Sequence, residues 1–175
     1  MNKGIIGGIV SVVIGGTSYA ISKTDIVTNF SRESGMSQQD AQKYVENVQG
    51  NLSTFSDIGN SLIDDGNSGL SSAKQIDCEN YAYDWETPTL NCTQGVIQFT
   101  TIGNDEVTLG NCYKALGTDL GSAAKSKISE CIQDIDAVNQ AESLPIASAL
   151  LDNATITDER NTNIYNKSVL QAALK

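Results

Sequence analysis

The sequence predicts a mainly α protein: a small helical bundle with room for a short β-hairpin, braced by disulfides and preceded by an amino-terminal hydrophobic helix. Three observations carry this prediction. Apolar residues recur at helical spacing in two places, over 41–48 and 120–138. Four cysteines, Cys78, Cys92, Cys112 and Cys131, occupy the central part of the chain. Residues 4–22, between Lys3 and Lys23, carry no charge. A length of 175 residues suits one ordinary domain.

The amino-terminal stretch has two readings. As a signal peptide, Met1 to Lys3 is a positive start and Ile5 to Ile14 the apolar stretch. Gly15 and Gly16 then break the helix, and Ser18 and Ala20 supply the small residues of a cleavage site. As an anchor, about 20 residues at 1.5 Å rise cross about 30 Å of hydrocarbon. In that case Gly4, Gly8, Ser11 and Gly15 line one face for close packing in a membrane. Under both readings residues 1–22 direct export, residues 23–36 form a polar linker, and residues 37–175 form a single helical domain.

Within that domain Ser37 and Asp40 open a helix whose apolar face is Ala41, Tyr44, Val45 and Val48, and Gly50 ends it. A second helix opens near Ser53, with Gly66 and Gly69 as interruptions. The acidic turn at 63–69 lacks the ligand pattern of a calcium loop. Residues 78–92 alternate Tyr81, Tyr83 and Trp85 with smaller groups, which is strand periodicity and puts three rings on one face. Residues 95–102 suit a second strand, although so short an apolar run also fits a helix. From Leu120, the series Ala124, Ile128, Cys131, Ile135 and Val138 marks an amphipathic helix. Pro145 opens a shorter helix, and Val169, Leu170, Ala173 and Leu174 form the buried side of a closing one.

An even cysteine count in an exported chain reads as a disulfide framework. The local pairings Cys78–Cys92 and Cys112–Cys131 are preferred, each able to stabilise the fold by about 3 kcal/mol. A straight helix over 112–131 would hold its cysteines roughly 28 Å apart, so Gly117 and Gly121 must break it.

Composition narrows function by exclusion. The chain has no histidine, which removes triad catalysis and the commonest metal ligand. A net charge of −10 repels phosphate backbones, so a nucleic-acid partner is disfavoured. Neither a metal site nor a cofactor motif is present in the sequence, and no catalytic constellation stands out. The sequence therefore reads as an exported protein that is not an enzyme: a structural or interaction protein, membrane-associated at least transiently, serving as subunit or accessory of a larger assembly with a protein partner. Its location would be a periplasm, a thylakoid lumen or a cell surface, with membrane anchoring left open. The alternative is a binding module that takes a glycan or small ligand on Tyr81, Tyr83 and Trp85.

Overall fold

A computed structural model describes residues 8–49, 54–79, 91–151 and 153–175. These residues form a two-stranded hairpin followed by seven α-helices, with two disulfides. The mainly α, disulfide-braced prediction holds, and the main corrections concern the amino-terminal third.

Residues 9–22 are not helical. Ile9–Ile14 (β1) pairs antiparallel with Thr17–Ser22 (β2) through a two-residue Gly15–Gly16 turn. Both glycines have positive φ, 61° and 78°, the backbone that a tight type I′ hairpin turn requires. β-branched residues dominate β1, and Thr17, Tyr19 and Ile21 of β2 likewise suit the pleated backbone better than a helix. Ile14 and Ile21 on the inward face are 0% and 1% exposed, whereas Ile9 and Val13 project outward. The turn is tied to the body of the protein: the Gly15 N–H donates to the Leu116 carbonyl at 2.7 Å, and the Leu120 N–H donates back to Gly15 at 2.9 Å. Of the small residues expected on one membrane-helix face, Gly8 precedes β1, Ser11 lies within it and Gly15 is in the turn, so they share no helix face. Gly4 lies outside the described residues. No helix among the described residues is long and apolar enough to cross a membrane.

The stretch expected as a linker instead holds Lys23–Ser34 (α1), which buries Ile26, Val27 and Phe30. Sparse apolar spacing hid this face, although the three residues fall within one and a half turns. Gln38–Gln49 (α2) starts as anticipated: the Asp40 N–H donates to Ser37 Oγ at 3.1 Å, and Ala41 and Val45 are buried. The Phe30 and Tyr44 rings stack between α1 and α2 at 4.6 Å.

Phe55–Gln75 (α3) and Cys92–Leu116 (α4) form the longest helix pair, running antiparallel in close contact. Gly66 does not interrupt α3, and residues 63–69 are mid-helix, not an acidic turn. Gly59 faces Gly110 and Gly66 faces Gly103, so closely that a methyl group at Gly59 would lie 2.5 Å from the Gly110 carbonyl oxygen. Helical glycine is disfavoured by propensity, but here it lets two backbones touch. The expected strand at 95–102 is the first part of α4, whose start is capped by Asn91 Oδ1 accepting from the Gln94 N–H. The hairpin thus sits at the amino terminus and does not involve residues 95–102.

Gly117 caps α4, a short 3-10 turn spans Gly121–Ala123, and Ala124–Ala141 (α5) returns with Ile128, Cys131 and Ile135 fully buried. That break allows the Cys112–Cys131 disulfide, with Cα atoms 5.5 Å apart, and the other bridge joins Cys78 to Cys92. Pro145–Leu150 (α6) is short, and Asn153–Ala173 (α7) is longer than the closing helix read from sequence. The carboxyl half of α7 is buried and packs on α1, α5 and β2. Lys167 on this helix is only 7% exposed and is held by Asp136 at 2.6 Å and Glu33 at 3.0 Å.

Candidate ligand cavity

Between the tight α3–α4 pair and α7, with α6 closing one side, lies a cavity of about 670 Å³. Each helix contributes one face at three- and four-residue spacing. From α3 come Asp57, Ile58, Ser61, Leu62 and Asp65; from α4, Phe99, Ile102 and Glu106; from α7, Asp158, Glu159, Thr162, Asn163 and Asn166. Ala147 of α6 and the neighbouring Leu151 close one side. The backbone N–H of Ile146 donates to Gln98 Oε1 at 3.1 Å, which fixes α6 against α4.

Glu142, the residue that ends α5, also lines the cavity. It is 8% exposed, and its Oε1 accepts from Asn163 Nδ2 at 3.5 Å, a long bond. Its Oε2 is buried with no hydrogen-bond partner among the described residues. Burial and the charges of Glu159 and Glu106 push the Glu142 carboxyl up to about 8, while Arg160 acts weakly the other way. Its position at the carbonyl end of a helix is also unfavourable for a negative charge. Glu106 is pushed up to about 7 by burial and by Asp65, Glu159 and Asp105. Glu159 is raised as well, by burial and by Asp65 and Asp158. The lining contains six carboxylates and no lysine or arginine.

These carboxylates do not converge on a point. Among the described residues, the one set of three metal-ligand side chains with atoms within 4.8 Å of one another is Cys112, Glu130 and Asp134, away from this cavity. There the Cys112 sulfur is already bonded to Cys131 and offers no thiolate.

A second cavity, about 540 Å³, lies beneath β1 and shares Ile58 and Asn166 with the first. Asn166, 3% exposed, lies beside the buried Tyr113 hydroxyl, which burial pushes well above the usual phenol range while Asn166 acts the other way.

The three aromatic residues expected to bind a ligand, Tyr81, Tyr83 and Trp85, lie outside the described residues. The four cysteines are all consumed in the bridges. No family model, curated protein or solved structure matches the chain.

The cavity residues escaped sequence reading because they come from helices far apart in the chain. Each carboxylate, taken alone, resembles an ordinary solvated helix position.

Proposed function

We propose that the chain is an exported, non-catalytic binding protein whose site is the cavity between α3, α4, α6 and α7. The observation that carries this reading is the Glu142 carboxylate. Burying a carboxyl without a full set of hydrogen-bond partners is costly, and a fold that keeps one at the edge of a cavity of ligand size supports binding there. Two disulfides support an oxidising, exported setting.

Of the two non-catalytic readings that the sequence allows, small-ligand binding has the stronger support, with the location moved from the aromatic loop to the cavity. The membrane-subunit reading keeps its other supports but loses one, since Gly8, Ser11 and Gly15 share no helix face.

The uncharged fluorophore N-phenyl-1-naphthylamine provides a test. It should bind at one saturable site, and Ser61→Trp and Thr162→Trp, which fill the cavity from exposed positions on α3 and α7, should each weaken binding about tenfold or more. Absence of binding, or equal binding to both variants, would overturn the proposal.

A further inference from the structure

We infer that the ligand of this cavity is an organic cation: an ammonium or guanidinium group that meets Glu142, carried on an apolar body lying against Ile58, Leu62, Phe99 and Ile102. The inference deepens the binding reading above and rests on it.

The sign of the site comes first. Its carboxylates lie on α3, α4 and α7 and at the end of α5, and none of its lining side chains is a lysine or arginine. An anionic ligand would meet repulsion on every side. A neutral one would leave the crowding of Glu106, Glu142 and Glu159 unrelieved.

A charge count alone would not make a site, and the second observation is independent of it. Glu142 Oε2 is a buried acceptor that no described residue satisfies, on a residue that lines the cavity. An ammonium or guanidinium supplies both the missing donor and the opposite charge, and hydrogen bonds between ionised partners are about twice as strong as neutral ones.

The form of the cation follows from spacing. A calcium or magnesium ion needs several oxygens within coordination distance of one point. No three cavity carboxylates bring their oxygens within 4.8 Å of one another. The apolar walls between the carboxylates would be wasted on a bare ion but suit hydrocarbon or an aromatic ring. The chain's net charge of −10 adds a long-range field that draws cations in.

The experiment uses the full chain at pH 8.5 and follows displacement of N-phenyl-1-naphthylamine by compounds of matched shape: 3-phenylpropylamine, 3-phenylpropanol and 3-phenylpropanoate, with calcium chloride as a further arm. The amine should displace the probe at about a tenth of the alcohol concentration or less, and the propanoate should be weakest. Glu142→Gln should shrink the amine's advantage to about threefold or less, with the far-ultraviolet circular dichroism unchanged. If that variant does not fold, Glu106→Gln is expected to shrink it in the same direction. Equal displacement by amine and alcohol would overturn the cation assignment while leaving the cavity reading intact. Competition between calcium and the amine would overturn it in favour of a metal site. Failure of the fluorophore itself to bind would count against the binding reading, not against the charge argument alone.

Discussion

Gly66 of α3 and Gly103 of α4 meet backbone to backbone: a methyl at Gly66 would lie 2.6 Å from the Gly103 carbonyl oxygen, and one at Gly103 would lie 2.9 Å from that of Gly66. With Gly59 and Gly110 about two helical turns away, these contacts set the spacing of the helix pair that forms one wall of the cavity.

Alanine at Gly66 or Gly103 should therefore destabilise the protein by about 1–3 kcal/mol, even though alanine is the better helix former. Urea unfolding of each variant, beside Ser68→Ala at an exposed α3 position, measures this. Equal or higher stability of the glycine variants would contradict the close approach.

The hairpin makes residues 9–22 part of the fold. A chain shortened to begin at Ile21 loses β1, its turn and Ile14, whose full burial is worth about 1.5–3 kcal/mol by itself. It should melt at a distinctly lower temperature than the full chain, or without a cooperative transition. An unchanged melting temperature would show that the domain does not depend on the hairpin.

Lys167 joins three helices through Glu33 on α1 and Asp136 on α5. Burial alone would raise Glu33, but Lys167 wins and holds it below the ordinary range. The same contacts hold Lys167 above its ordinary value against burial. Glu33 therefore contributes stability above the usual carboxylate range that is lost as pH falls through its lowered value. Lys167→Ala should cost about 2 kcal/mol at neutral pH, and the loss should shrink in acid. A pH series of denaturant melts measures it.

The cavity carboxyls work in the opposite direction. Glu106 and Glu142 are raised in the folded chain, so their contribution is full below the ordinary carboxylate range and lost as pH rises through about 7 and 8, and the raised Glu159 acts in the same direction. The groups facing them are Asp57 and Asp65 on α3, Asp105 on α4, and Asp158 and Arg160 on α7. Between pH 6 and pH 8.5 the ligand-free protein should lose about 2 kcal/mol of stability, and Glu142→Gln should flatten that slope. A flat profile for the unaltered chain would count against crowded, buried carboxyls.

Several parts of this fold can be read from the sequence because their signals are local. The steps of four and three from Ala124 to Val138 give α5, Ser37 with Asp40 gives the start of α2, and the glycines after Cys112 permit its bridge to Cys131. The hairpin is equally local, with a Gly-Gly pair after a β-branched run and before the alternating Thr17, Tyr19 and Ile21, but its lack of charge favours a membrane-directed helix reading. Residues 95–102 are an apolar run that either period accommodates, and the cap at Asn91 together with the glycine contacts to α3 decides for helix. The cavity is not local at all. Glu106, Glu142 and Glu159 come together only after α3 and α4 have paired and α7 has packed into the core, and no pattern within one helix announces that meeting.

The most direct test of the cation site is the titration of the Glu142 side-chain carboxyl, followed by carbon-13 chemical shift with and without saturating 3-phenylpropylamine. In the free protein its midpoint should lie well above the ordinary carboxylate range, near 8, and the bound cation should pull it down by at least about one pH unit. An ordinary midpoint in the free protein, or one that the amine does not move, would contradict the site.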